Sequence, residues 1–153
     1  RTLFFCPNKL LDSLEEYVLL SLLLSDRFLS PLYLRLREGQ QLIYGIDSTL
    51  ESPMFGIYHI MFFTSSHFKN KNKIWYSFSQ VLSSPKSWLT PERMEQARQK
   101  FLIDEEIQLL LGQRSQAYEF LNPHEVHVRE SIKKLSFEEV KEAAKFFKPE
   151  NFI

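Results

Sequence analysis

Residues 27–45, from Arg27 to Gly45, read RFLSPLYLRLREGQQLIYG. A very apolar helix runs into this stretch and a pair of apolar strands runs out of it. Ser30-Pro31 has the form of an N-cap followed by a first-turn proline, which opens a helix because proline's missing N–H is one that would stay unbonded there anyway. A short helix, LYLRLRE, follows and stops near Gly39. It carries Arg35 and Arg37, and Tyr44 stands seven positions after Arg37. A guanidinium at a helix end and a phenol inside the next strand can meet at one surface. It is the only polar constellation in the chain with a specific form; the rest reads as scaffold.

Upstream, Thr2 to Cys6 is a run of β-formers stopped by Pro7 and Asn8, which predicts a strand. Ser13 with Glu16 has capping-box spacing. Leu14, Tyr17, Val18, Ser21, Leu22 and Phe28 then follow helical spacing, while Leu19, Leu20, Leu23 and Leu24 widen the apolar face almost to the full circumference. Such a helix is buried on more than one side, against a sheet and against something else.

Downstream, Leu42 to Leu50 alternates as a strand, with Leu42, Tyr44, Ile46 and Ser48 on one face and Ile43, Gly45, Asp47 and Thr49 on the other. Glu51-Ser52-Pro53 reads as a turn. Phe55 to Thr64 is apolar on both faces, as a central strand is. Lys69, Lys71 and Lys73, spaced by asparagines, read as a solvated loop. A helix over Ile74 to Leu82 follows, broken at Ser84-Pro85. Thr90-Pro91-Glu92 is a strong helix start, with Met94, Ala97, Phe101, Ile107 and Leu111 as its stripe until Gly112. Ala117 to Leu121 and His127 to Leu135 read as further helices. Ser136 and Glu139 form a capping box for a helix burying Val140, Ala143, Ala144 and Phe147, and Asn151 to Ile153 starts a last strand. Helices segregated around a small, mostly antiparallel sheet of about four strands make an α+β domain. Four glycines leave little room for the tight turns of an all-β sandwich.

The 153 residues suit one domain, 1–153, with a sizeable core. The start at Arg1 and the strand-like end at Ile153 suggest a domain excised from a longer chain. Nineteen basic residues balance nineteen acidic ones, so no overall field favours nucleic acid or an anionic membrane. The longest apolar run, Tyr17 to Leu24, falls short of the about 20 residues that span a bilayer. A soluble protein is expected, its compartment unstated by the sequence: cytoplasmic or periplasmic if bacterial. The single cysteine, Cys6, supplies neither a disulfide nor a metal site by itself.

The histidines are His59, His67, His124 and His127. In HEVHVRES the two histidines are three apart, whereas the zinc motif H-E-x-x-H needs four so that both imidazoles face one metal. The inverted form H-x-x-E-H would need a histidine where Ser131 stands. His59 reads as a sheet histidine with no ligating neighbours. No nucleophile signature and no Gly-rich phosphate loop is present, so the expectation is no metal, no cofactor and no complete active site in this chain.

The run SPLYLRLREGQQLIYG resembles a signature of the insulinase/pitrilysin family of inverzincin metallopeptidases, in the half that does not bind zinc. The pattern is Leu36-Arg37, a short polar run, then Leu42-Ile43-Tyr44. More loosely, the resemblance spans the chain: strand and long helix before the motif, two strands after it, and a close of capped helix, Pro149-Glu150-Asn151 and strand. It implies a metallopeptidase-half architecture with a ferredoxin-like core, one of two similar halves that close into a chamber. The other half would carry the zinc and H-x-x-E-H. This half would supply Arg37 and Tyr44 to a bound peptide substrate. A guanidinium holds peptide carbonyls through several donors, and a phenol beside a scissile carbonyl stabilises its developing charge. The residues by themselves leave a second reading open, a solvated helix-end arginine and a sheet-face tyrosine. Arg35 competes for the arginine role but stands nine positions from Tyr44. The leading expectation is therefore a non-catalytic half whose partner is a zinc-binding half, in the same protein or in another subunit. The alternatives are a catalytically silent relative acting as a partner or scaffold subunit, and an unrelated α+β binding domain.

Overall fold

The structure, a computed structural model, describes residues 2–5, 14–27, 30–54, 57–111 and 123–152. In chain order these form β1 (Thr2–Phe5), α1 (Glu15–Ser25), α2 (Pro31–Tyr33), β2 (Ile46–Met54), β3 (Ile57–Ser65), α3 (Lys71–Leu82), α4 (Pro91–Leu110), α5 (Pro123–Lys134) and α6 (Phe137–Ala143). Cys6, Ser13, Phe28, Gly112, the expected helix over residues 117–121 and Ile153 lie outside the described residues. The fold is α+β. Its sheet is antiparallel in the order β1-β3-β2, with Phe4 opposite Phe63 and Ser48 opposite Phe62. The expected central strand is thus central.

About four strands were expected; the described residues form three. At the missing fourth, Pro149–Asn151 is a single tight turn and Phe152 makes only a lone bridge. Phe152 is held by its ring instead. Its centroid lies 5.6 Å from that of Phe78, 5.7 Å from Phe147 and 6.1 Å from Phe62. Aromatic burial fixes this segment without a strand ladder.

The apolar α1 is the centre. Leu19, Leu20, Leu23 and Leu24 are fully buried, and the helix touches β2, β3, α2, α4, α5 and α6. That is the many-sided burial its composition implies. Each leucine so buried contributes about 1.5–3 kcal/mol. Leu14 stands at the N-cap of α1 and makes no side-chain cap bond. At the other end, Ser25 Oγ donates to the Ser21 carbonyl at 2.8 Å and meets Ser48 Oγ of β2 at 2.7 Å. Ser30 is wholly buried and does two things. Its Oγ accepts from Tyr33 N–H at 3.0 Å, the expected cap, and donates to the Leu24 carbonyl, which α1 leaves open.

Other boundaries moved for physical reasons. β2 begins at Ile46, not Leu42, and runs through the expected turn at Glu51-Ser52-Pro53 to Met54. The register shifts between Glu51 and Met54, where proline sits on an edge strand with no partner to its outer side among the described residues. α3 starts at Lys71, so Lys71 and Lys73 occupy its first turn and are not a loop. Cations there oppose the helix dipole, but burial of Ile74, Phe78, Val81 and Leu82 outweighs them. α5 begins at Pro123 rather than His127. In α4, capped by Thr90 Oγ1 accepting from Arg93 N–H at 3.3 Å, Met94 and Ala97 are buried. Ile107 and Leu111, expected on the buried stripe, are exposed, as are Ile103 and Leu110. Periodicity identifies a shared face but not where the core beneath it ends. The capping box of α6 is present, Ser136 N–H donating to Glu139 Oε2 at 2.7 Å and Ser136 Oγ accepting from Glu139 N–H at 3.3 Å. No described helix is long and apolar enough to cross a membrane.

Ser30→Ala removes both the cap and the partner of a buried carbonyl, and is expected to cost about 1–3 kcal/mol. Leu23→Ala should cost about 2–5 kcal/mol. Urea denaturation followed by circular dichroism measures both; a Ser30→Ala loss within error of zero would show that the α1–α2 junction is not held this way.

Candidate functional site

After α2 the helix widens. Leu34–Gly39 form a looser turn in which Gln40 N–H reaches back five residues to the Arg35 carbonyl at 3.0 Å, and Leu42 N–H bonds the Leu36 carbonyl at 2.8 Å. Widened turns of this kind re-aim side chains and concentrate at functional sites. Leu36 is fully buried, which leaves Arg37 half-buried at the rim. Gln41, the single positive-φ residue other than glycine among the described residues, has φ 52° and turns the chain out of the helix.

The segment Leu42–Gly45 was expected to be strand. It is an extended strap bonded by side chains from the end of β3. Ser66 Oγ donates to the Leu42 carbonyl and Thr64 Oγ1 to the Gly45 carbonyl. Tyr44 N–H donates to the Ser65 carbonyl at 3.4 Å. The expected alternation fails here because no ladder imposes a period of two. Ile43 and Ile46, three apart, are both buried, and Tyr44 between them is 75% exposed. Tyr44 therefore precedes the strand, and its phenol stands in solvent.

Arg37 and Tyr44 line the same cleft, of about 620 Å³. Neither side chain makes a hydrogen bond or ion pair among the described residues. Arg35 does not line it. The sequence pattern had no signal for the other walls. Asp26 and Arg27 come from the end of α1, Tyr33 from α2, Asp47 and Ser48 from β2, and Lys100 and Asp104 from the middle of α4. Three cations thus face three carboxylates. Lys100 Nζ bonds Asp104 Oδ2 at 2.9 Å and reaches Asp26 Oδ2 at 3.5 Å. The hydrogen bond that Lys100 donates to Asp104 holds its ammonium above its ordinary pKa against the opposing effect of burial, and the charges of Asp104 and Asp26 add to it. With Lys100 shared between two aspartates, Arg37 and Arg27 are the cleft's remaining cations. The cleft can bind a polar chain through guanidinium and phenol donors; among its described residues it holds no nucleophile–base pair.

Among the described residues no three His, Cys, Asp or Glu side chains converge as a metal site. The side chains of His59, His124 and His127 lie outside the described set; the backbone of His59 pairs with Glu51.

No family model and no curated protein sequence matches the chain. Solved structures do. A structure described as the inactive peptidase domain of a zinc protease from Bordetella parapertussis superposes with TM-score 0.76 at 16% identity, over 99% of this chain and 88% of that one. A zinc protease structure from Bordetella pertussis gives 0.72 at 16% identity, over 99% and 90%. The inactive domain of a peptidase from Pseudomonas fluorescens gives 0.63 at 18% identity, over 99% of this chain and 39% of that longer one. This chain shares the fold of these structures. Within it, Arg37 and Tyr44 line one cleft.

Lys100 supplies a pH test. A raised folded-state pKa means that its contribution is fully present below the ordinary value of 10.5 and is lost as pH rises through the higher folded value. Lys100→Met is therefore expected to lower stability at pH 8, and the gap to the unsubstituted protein should close above pH 10.5. Urea titrations at pH 8 and pH 11 check this; an equal gap at both would show that packing, not charge, is what Lys100 provides.

Proposed function

We propose that this chain is the non-catalytic half of a zinc-dependent metallopeptidase, walling the peptide-binding chamber opposite the zinc site. The observation that carries the proposal is the convergence of Arg37 and Tyr44, unpaired among the described residues, on one cleft of an inactive-peptidase-domain fold. Arg37 binds the peptide backbone, its planar fork of donors matching carbonyl oxygens. The Tyr44 phenol donates to the scissile carbonyl oxygen, where negative charge develops while water attacks. The zinc belongs to the partner half and supplies the activated water there. No step is assigned to a metal on this chain.

With the zinc-binding counterpart present, Tyr44→Phe should lower peptide turnover about 10²-fold, the scale for losing one oxyanion donor. Arg37→Ala should weaken kcat/KM about 10–100-fold, as expected for hydrogen bonds to a charged group. Neither should shift the unfolding midpoint, because neither side chain is bonded within the described fold. Full turnover in both variants would sink the proposal. Elemental analysis of this chain purified alone should find less than stoichiometric zinc; an equimolar site with histidine ligands would contradict the silent-half reading.

The exposed apolar side chains at the end of α4, Ile103, Ile107, Leu110 and the C-cap Leu111, favour a second reading, a silent partner or scaffold subunit that works by association. The two readings separate on the same variants, since a scaffold tolerates Tyr44→Phe.

A further inference from the structure

A second concavity shares no lining residue with the Arg37–Tyr44 cleft. It lies where the end of α3, the start of α4 and the outer face of α6 meet, and measures about 670 Å³. Its walls are apolar: Leu82, Leu89, Phe137 and Ala144, with Pro85, Pro91 and Pro149 at the edges. Three of the chain's seven prolines line this one groove. Their fixed φ makes the groove preformed, so a ligand entering it does not have to order the walls.

The charges at the rim are one-sided. Lys86, Lys141, Lys145 and Lys148 surround the groove, with Glu150 as the one carboxylate. Lys86 and Lys148 have no ion pair among the described residues. Lys141 and Lys145 pair with Glu138 at 2.9 Å and Glu142 at 2.5 Å, neighbours in sequence and in solvent. Such exposed pairs are worth about 0–1 kcal/mol and yield readily to a better anion. Lys141 Nζ also sits 5.9 Å above the Phe137 ring, which keeps an ammonium against the apolar wall.

This chemistry selects its occupant. A groove of this volume, apolar with charged groups only at its edge, has the form of a small-molecule site. An extended peptide brings a donor and an acceptor per residue, and these must be paired. The lysines and Glu150 of the lining stand at its rim, and its two hydroxyls are already engaged, Ser83 Oγ donating to the Ser79 carbonyl and Thr90 Oγ1 capping α4. We propose that this groove binds a long-chain carboxylate, a single fatty-acyl tail along Leu82, Leu89, Phe137 and Ala144 with its carboxylate among the rim lysines.

Isothermal titration of the protein with dodecanoate, held below its micelle concentration, tests this. Saturable one-to-one binding is expected, with dodecyltrimethylammonium, the same tail bearing a cation, binding at least ten-fold more weakly. Lys86→Glu/Lys148→Glu changes two exposed side chains without ion pairs among the described residues, and should weaken dodecanoate about ten-fold with an unchanged unfolding midpoint. A Tyr44→Phe control should leave dodecanoate binding untouched. No saturable binding, equal binding of the cationic tail, or full binding by the double lysine variant would overturn the proposal. So would tighter, lysine-dependent binding of an acidic amphipathic helical peptide, which would assign the groove to a protein partner.

Discussion

The structure depends on the burial of α1 on several sides. A helix with four fully buried leucines on adjoining faces cannot rest on a sheet alone, since a sheet covers one side of it. The remaining elements assemble around it: β2 and β3 beneath, α4, α5 and α6 across it, and α2 at its end. Because α1 carries so little polar surface, its ends are where hydrogen-bonding demands gather. Buried Ser25 and Ser30 answer them, one tying α1 to β2 and the other joining α1 to α2.

The cleft follows from that junction. Ser30 holds the α1–α2 turn closed, so the widened turn carrying Arg37 emerges beside the end of α1 and close to β2. The strap from Leu42 to Gly45 lacks a full strand ladder, and hydroxyls from Thr64 and Ser66 take its carbonyls instead. That substitution frees the strap from strict alternation. Two isoleucines turn inward and Tyr44 turns to solvent in the cleft that Arg37 also lines. Lys100 completes the setting by tethering α4 to the end of α1 through Asp26.

The same helices give the molecule two chemically different concavities. One is polar and charge-balanced, with guanidinium and phenol donors unpaired among the described residues; the other is apolar, ringed by lysines and stiffened by proline. A polar backbone and an aliphatic tail would each find its complement in one and a penalty in the other. Between them, the far half of α4 presents apolar side chains that the described core does not cover.

Much of this was readable along the chain. The leucine-rich helix announced its burial on several sides, Ser30-Pro31 and Ser136…Glu139 announced helix starts, and the apolar run ending at Thr64 announced a central strand. These are local signals: capping needs particular side chains within three or four residues, and burial needs apolar ones at a fixed period. The spacing of Arg37 and Tyr44 suggested a shared surface, and both line one cleft. What the chain could not disclose was where each period stops. The start of β2, the exposed end of α4, and the loss of a strand at Phe152 to an aromatic cluster depend on which surfaces meet. So do Asp26, Asp47, Lys100 and Asp104, which are distant in sequence and share a cleft only because α1 draws α4 and β2 to the same end. Hydrogen-bond and packing demands within a few residues are written in the sequence; those satisfied between elements exist only once the elements have been brought together.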